Sequence, residues 1–304
     1  MPKKINVINS HRLISVIIVN FNGADCIIDT IKSILTSDCS VEILIVDNAS
    51  EDNSVKKLQQ HFSTDKRILP LFNIENKGFS VACNQAVLQA SGHYLLFLNP
   101  DCLIKKETLS QMLEHMGKLN NIGLIGCLIR NRDGTEQAGC RRNTPTPWRS
   151  VVRMLHLSKL FKLENVNKHQ DALPEQPIDV DAISGAFMLT NTANYKAVGG
   201  FDEGYFLHCE DLDLCMRYRL QGFRVVFVPD VEIIHYKGGS SHDRRIRVEY
   251  YKHQGMLRYY NKFFKKRYPF FLSWSIYLSV WFRFALLSGY FYVKSRFSIR
   301  RVKP

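Results

Sequence analysis

Glu210, Asp211 and Asp213 crowd the start of the short amphipathic segment EDLDLCMRYRLQ, and His235 closes the apolar run VEIIH that follows it. Acids gathered where a helix begins, with a histidine at a strand end, suit acid–base chemistry beside a bound metal or diphosphate. Far upstream, Asn99-Pro100-Asp101 ends another apolar run, YLLFLNPD. An aspartate at such a strand end can hold a divalent cation through oxygen, with diphosphate oxygens and water completing the shell. Together these residues point to an enzyme that uses a nucleotide-activated substrate.

Each residue also has a plainer reading. The three acids would load the positive end of a helix dipole, and Asp213 and Arg217 are spaced i, i+4 to pair on the surface. Asn-Pro-Asp is ordinary turn chemistry, and a lone strand histidine is more often structural. Two features favour chemistry. Asp211 precedes apolar positions 212, 215, 216 and 220, which puts it at the edge of the buried stripe and beside any cleft. His235 precedes Gly238-Gly239-Ser240-Ser241, whose backbone could approach a phosphate closely.

Nucleotide recognition must come from other signals, because the chain has neither GxxxxGK[ST] nor GxGxxG after its first strand. Asn22-Gly23 and Asn76-Lys77-Gly78 bring small or amide residues to strand–helix junctions, where backbone N–H groups can receive an anion. Asp47 ends the run VEILIVD and could accept the N3–H of a pyrimidine base or cap the next helix.

The elements that must position these residues follow a regular rhythm. LISVIIVNF (13–21), VEILIVDN (41–48), ILPLFN (68–73), YLLFLN (94–99) and IGLIGCLIR (122–130) read as strands. Helical patterns over 24–35, 51–62, 78–90 and 105–119 lie between them. Near-continuous apolar strands alternating with helices predict an α/β fold, a mostly parallel, Rossmann-like sheet covered on both faces. Ligands bind beyond the carboxyl ends of such strands, and Asn20, Asp47 and Asn99 converge there. Asp133-Gly134 suits a hairpin turn, and 180–190 and 224–236 are expected to add one strand and two strands. Residues 140–178, with four prolines around the basic amphipathic stretch WRSVVRMLHLSKLFKL, read as a mobile loop or flap, which the resemblance given below would place at the acceptor.

Beyond residue 242 the character changes, so the expected division is a catalytic domain over 1–242 and a helical extension over 243–304. Residues 1–235 carry 25 Lys and Arg against 26 Asp and Glu, whereas residues 236–304 carry 16 against 2. The whole basic excess behind the net charge of +13 therefore belongs to the extension. Its run YPFFLSWSIYLSVWFRFALLSGYFYV (268–293) is interrupted by Arg283 and flanked by lysines and arginines. That pattern suits a helix or hairpin lying in the headgroup region of an anionic membrane. A spanning helix, or a core or homodimer helix, are the alternatives. Nucleic acid is excluded as the partner, because phosphate binding needs no long aromatic–aliphatic run. Eight cysteines without a CxxC or a regular framework read as buried, reduced thiols of a reducing compartment. The N-terminal apolar run is too short for a signal peptide and reads as the first strand.

Taken in order, VIIVNFNG, VDNAS, NKGFSVACNQA, LFLNPD, ISGAFML, VGGFDE, EDLDLCMRYRLQGFRVVFVP and HYKGGSS resemble glycosyltransferase family 2, the inverting GT-A enzymes, and within it the rhamnosyltransferase-like members. The resemblance runs over roughly three quarters of the chain, from 16 to 241. It implies Asn20, Asn22, Asp47 and Asn76 near the nucleoside, Gly78 at a close backbone approach, and Asn99 and Asp101 in the places of the DxD motif, with Asp101 at its metal-binding end. It further implies Gly185, Ala186 and Asp213 at the donor and acceptor pocket, Asp211 as general base, Glu210 as its acceptor-orienting neighbour, and His235 as a metal or diphosphate ligand. The implied cofactor is Mg2+ or Mn2+, and the implied donor is dTDP-L-rhamnose, with a UDP-hexose or UDP-N-acetylhexosamine as the alternative. The implied acceptor is a polyprenyl-diphosphate-linked saccharide of a bacterial surface polysaccharide, met at the cytoplasmic face of the inner membrane. The QxxRW of processive members is absent, so one sugar per encounter is expected. A non-catalytic carbohydrate-binding relative would be expected to lose Asp101 or Asp211, and both are present.

Overall fold

The β-branched runs of the first hundred residues become neighbouring strands. The structure, a computed structural model, describes residues 13–24, 26–146, 166–236 and 245–300, with backbone alone for 295–300. The basic stretch 148–163 and the Gly238–Ser241 run singled out above lie outside the described residues. β1 (Ile14–Asn20), β2 (Val41–Asp47), β3 (Ile68–Phe72) and β4 (Tyr94–Leu98) pair in parallel in the order β3-β2-β1-β4. Parallel neighbours need crossovers, which α1 (Ile27–Leu35), α2 (Ser54–Phe62) and α3 (Phe79–Val87) provide. β1 is buried at every position, as a strand covered on both faces must be. The order reverses direction between β1 and β4, which opens a crevice at their carboxyl ends.

The second half of the sheet contains β5 (Cys102–Leu103), β6 (Ile122–Arg130), β10 (Phe187–Asn191) and β11 (Arg224–His235), with α4 (Thr108–Lys118) leading into β6. β10 runs antiparallel between β4 and β6, β11 lies parallel to β6, and β5 and β8 (Ile178–Asp179) pair antiparallel with β11. β7 (Arg141–Arg142) and β9 (Ala182–Ile183) form a separate small ribbon. The sheet is thus mostly parallel, with β10 as its long exception.

Two expectations change. Residues 180–190 are not one strand: the chain turns at Ser184–Ala186 between β9 and β10. Residues 224–236 are not two: β11 is continuous, with an irregularity in its pairing between Val228 and Glu232 that accommodates Pro229.

After β10 come α5 (Thr192–Ala197) and α6 (Glu210–Leu220), then α7 (Arg245–Phe263) and α8 (Phe270–Arg300), with a 3₁₀ turn at Lys265–Arg267 between the last two. α7 packs on the segment before α6 through Tyr205, Cys209, Tyr259, Tyr260 and Phe264, and Phe206 stacks on Tyr251 at 4.1 Å. α8 packs one stripe on α7 and leaves Phe270, Phe271, Trp274, Leu278, Phe282 and Leu286 exposed. Its segment Phe270–Lys294, with mean hydropathy 1.5 and 6% buried, is long and apolar enough to cross a bilayer. So little burial argues against a core helix, and α8 is one continuous helix rather than a hairpin.

Candidate active site

Strand pairing brings the first part of the site together. β5 pairs with the end of β11, His235 opposite Cys102, which places Asp101 beside the histidine. Nε2 of His235 lies 3.0 Å from Oδ1 of Asp101 and 3.3 Å from Nδ2 of Asn99. The tautomer follows from the partners on the far side. The amide of Gln137 donates from Nε2 to Asn131 Oδ1 at 2.9 Å, so its carbonyl oxygen faces His235 Nδ1 at 2.7 Å and accepts from it. The proton therefore sits on Nδ1, and the Nε2 lone pair is aimed at Asp101. Two lone-pair atoms this close call for a proton or a cation between them. A divalent ion held by carboxylate oxygen and imidazole fits this donor set. Cys102 Sγ also lies nearby. Burial, with the Asp101 charge beside it, drives its thiol far above the ordinary range, and its Sγ–H is directed at Ala186 O, so it remains a protonated wall.

The turn that breaks residues 180–190 carries this corner across to the acidic helix. Asn99 N–H donates to Ala186 O at 3.1 Å, and Gly185 N–H donates to Asp211 Oδ2 at 3.2 Å. A Cβ on Gly185 would stand 3.4 Å from Asp211 Cβ, so the turn lies in close contact with this side chain. Arg142 of β7 donates to the same Oδ2 at 2.5 Å, and Leu212 N–H donates to Oδ1 at 2.8 Å. Burial pushes the Asp211 carboxyl up, yet the Arg142 guanidinium and the backbone N–H groups outweigh it and hold the acid below its usual range. Asp211 is therefore an ionised carboxylate at neutral pH.

Glu210 has the opposite environment. Burial, then the Asp211 charge, push its carboxyl up to about 8, and Oε2 has no hydrogen-bond partner among the described residues. The folded protein thus holds a proton that the unfolded chain releases above about 4.5. Stability from this group is full below the unfolded value and is lost as pH rises through about 8. Glu210→Gln is expected to remove that decline, so its melting temperature should gain on the parent toward alkaline pH. Melting curves from roughly pH 5 to 9 check it.

Asp213 is the site residue that the structure does not bring to this group. Fully buried, it bonds Arg217 at 2.6 Å, Lys262 of α7 at 2.6 Å and the Tyr205 hydroxyl at 3.3 Å. Two residues along a helix turn the side chain to the opposite flank, away from Asp211. α6 itself is entered through His208 and Cys209, both left-handed at φ +68° and +69°. α7 presses on that bend, since a Cβ on Gly255 would come within 2.7 Å of His208 O.

The ends of β1 and β2 form a third region. Asn20 pairs in register with Asp47, and its Nδ2 donates to Asp47 Oδ2 at 2.8 Å and to Ser50 Oγ at 3.1 Å. Asp47 Oδ1 accepts from Ser50 N–H at 2.9 Å, so Asp47 caps the turn that follows β2 rather than α2. Asn22, at φ +57°, donates its N–H to Ser50 Oγ and accepts from Glu51 N–H. Asn20 Oδ1 is buried without a hydrogen-bond partner among the described residues, and it faces Gly23, where a Cβ would come within 2.5 Å. Asn48, which sequence reasoning passed over, ties the next loop together. It donates to Asn76 Oδ1 and Gly78 O and accepts from Asn73 Nδ2 and Lys77 N–H. Gly78 sits at φ +87°, and a Cβ there would meet Phe206 O at 2.8 Å, so only glycine fits.

Arg142 and Gln137 were also passed over. Arg142 belonged to a loop read as a unit, and neither residue stands in a motif.

Comparisons with known proteins bear on the family and the fold. The Glycosyl transferase family 2 model matches residues 15–188, more than half of the chain. Rhamnosyltransferase WbbL of Escherichia coli (strain K12) is 29% identical over 237 residues, covering 77% of this chain and 86% of that protein. N-acetylglucosaminyl-diphospho-decaprenol L-rhamnosyltransferase of Mycobacterium tuberculosis (strain ATCC 25618 / H37Rv) is 27% identical over 223 residues, covering 68% of this chain and 70% of that protein. Among solved structures, mannosyltransferase PcManGT from Pyrobaculum calidifontis in complex with GDP-Man and Mn2+ has a TM-score of 0.58 at 16% identity, over 82% of this chain and 63% of that one. S. aureus TarS 1-349 in complex with UDP-GlcNAc has a TM-score of 0.57 at 18% identity, over 82% of this chain and 66% of that one. The chain thus spans less than two thirds of either solved chain, and at such identity the likeness shows a shared GT-A-like fold alone. The match of the family model from β1 into β10 goes further: this chain belongs to glycosyltransferase family 2 and is a glycosyltransferase.

Proposed function

We propose that this enzyme transfers one L-rhamnose at a time from dTDP-L-rhamnose to a polyprenyl-diphosphate-linked saccharide, inverting the anomeric centre, in the synthesis of a bacterial surface polysaccharide. The observation that carries it is an ionised Asp211 joined through Gly185 and Ala186 to the corner formed by Asn99, Asp101 and His235. The two rhamnosyltransferase relatives support the sugar, and the name of one includes a decaprenol-linked diphosphate.

In this reading an acceptor hydroxyl approaches Asp211, which takes its proton as the oxygen attacks the anomeric carbon. Such general-base help contributes roughly 10²–10⁴-fold. Glu210, protonated, orients the acceptor with Oε2. The bond to the diphosphate breaks on the opposite face of the sugar, so no second carboxylate nucleophile is needed. Asn20, Asn22, Asp47, Asn76 and Gly78 shape the nucleoside floor, and Asn99 steadies the diphosphate end. Asp101 and His235 would hold Mg2+ or Mn2+, which when bound neutralises charge on the departing nucleoside diphosphate.

His235→Ala is expected to lose measurable Mn2+ binding. Gln137→Leu, which frees the imidazole to turn, should weaken it by about 10–100-fold. Electron paramagnetic resonance titration of free Mn2+ reads both, and unchanged affinity in His235→Ala would dismiss the metal corner.

The enzyme would work at the cytoplasmic face of the inner membrane, held by α8 and the basic residues around it. Deleting 268–304 is therefore expected to release the protein from membranes. Persistence in the membrane pellet would discard the anchor.

Transfer of labelled sugar to a prenyl-diphosphate-linked saccharide tests the whole reading. Lipid-linked product is expected from dTDP-L-rhamnose. Product from a UDP-hexose or UDP-N-acetylhexosamine alone would replace rhamnose with that sugar.

A further inference from the structure

The end of α7 and the first turns of α8 enclose a groove of about 920 Å³ that is separate from the catalytic crevice. Its floor is a ridge on α8. Phe270, Trp274, Leu278 and Trp281 recur at i, i+4, i+8 and i+11, which stacks them along one face. Phe270, Trp274 and Leu278 are 74%, 60% and 64% exposed, so nothing among the described residues covers them. The ridge is about 16 Å long at the helical rise. At its upper end the groove is lined by Lys265 and Lys266, both exposed and neither paired with a carboxylate among the described residues. The walls are braced by hydrogen bonds from Tyr260 to Ser273 at 2.7 Å and from Tyr277 to Asn261.

We infer that this groove binds the prenyl diphosphate of the lipid carrier, the diphosphate on Lys265 and Lys266 and the isoprenoid chain along the α8 ridge. The inference rests on the lipid-linked acceptor proposed above and adds the place where the lipid is held. The charge is complementary: two lysines without a carboxylate partner among the described residues meet a diphosphate, and the groove turns apolar immediately below them. A single apolar track with one cationic end suits a one-chain lipid better than a two-chain phospholipid. The ridge forms the first turns of the helix that is long enough to cross a bilayer, so Lys265 and Lys266, just before it, lie where a lipid headgroup would sit. One turn before the lysines, Lys262 bridges Asp202 at 2.7 Å and Asp213 at 2.6 Å. The headgroup end of the groove and the acidic helix are therefore joined by one ion-paired path.

Two of the three tryptophans, Trp274 and Trp281, line the groove, which gives a local signal. The full chain in detergent, with Trp148→Phe to clear the background, is titrated with farnesyl diphosphate and followed by tryptophan emission. A saturable change is expected, with inorganic pyrophosphate giving none. K265E/K266E should weaken it by about tenfold or more, and Leu278→Gln should weaken it without changing the charge. Unchanged affinity in both variants would overturn the site, as would an equal response to phosphatidylglycerol. A stable dimer that buries the ridge and does not respond to farnesyl diphosphate would overturn it too. The same variants are expected to keep nucleotide-induced thermal stabilisation. Loss of that stabilisation in the parent chain would instead count against the glycosyl-transfer reading itself.

Discussion

Asp211→Asn is expected to cut kcat/KM for transfer by about 10²–10⁴-fold while nucleotide affinity stays close to that of the parent. Asparagine keeps the shape and still accepts from Arg142 and Gly185, which donate to Oδ2 at 2.5 and 3.2 Å. What it loses is the lone pair that takes the acceptor's proton. Arg142 makes the change informative, because it keeps the carboxylate ionised at neutral pH and weakens it as a base. The parent's rate should accordingly fall at acid pH, where Asp211 itself becomes protonated, and again as pH rises through about 8, where Glu210 loses the proton with which it orients the acceptor. Full activity in Asp211→Asn would end the base assignment.

Asp213→Ala should do the opposite, costing stability rather than chemistry. Its carboxylate is fully buried and is shared by Arg217, Lys262 and the Tyr205 hydroxyl. Removing the buried member of this cluster leaves the partly buried Arg217 guanidinium and the Tyr205 hydroxyl without their acceptor, which typically costs about 1–3 kcal/mol. Lys262 keeps Asp202 as a second partner, so the larger share of the loss should fall on Arg217. Urea denaturation reads the loss, and nucleotide affinity of the folded fraction should be unchanged. A stable Asp213→Ala protein with impaired transfer would return Asp213 to the donor and acceptor pocket. Two acids two positions apart would thus separate cleanly: one faces the turn at Gly185, the other the helix α7.

That separation shows what the sequence could and could not convey. The parallel half of the sheet was legible because strands buried on both faces must be apolar throughout, as β1 and β2 are. The convergence of Asn20, Asp47 and Asn99 followed from the same rule, since polar residues at strand ends have only the crevice to face. β10 was harder. It begins only after a turn at Ser184–Ala186, and the Ser184-Gly185 pair that marks this turn lies between two short apolar runs that read as one strand. β11 carries Pro229, which cannot donate to a regular ladder, and the irregular pairing between Val228 and Glu232 absorbs it within one strand.

Partnerships across long separations were not legible at all. Arg142 meets Asp211 only because β7 pairs with β9, and Gln137 meets His235 only because the chain folds back after β6. Asp213 and Arg217 were legible as an i, i+4 pair, but their burial was not, because it comes from α7 closing over them. The aromatic run of α8 was readable as an unusual surface, since such side chains without a core to enter need another apolar phase.

The most direct test of the account is calorimetric or thermal-shift binding of dTDP, UDP, GDP and ADP to the full chain, each with and without Mn2+. The account predicts that dTDP stabilises most, that Mn2+ strengthens it, and that His235→Ala abolishes the Mn2+ increment alone. Stabilisation by none of the four would contradict it, leaving the acids of α6 as helix-end charges and the corner at Asp101 without a diphosphate to serve.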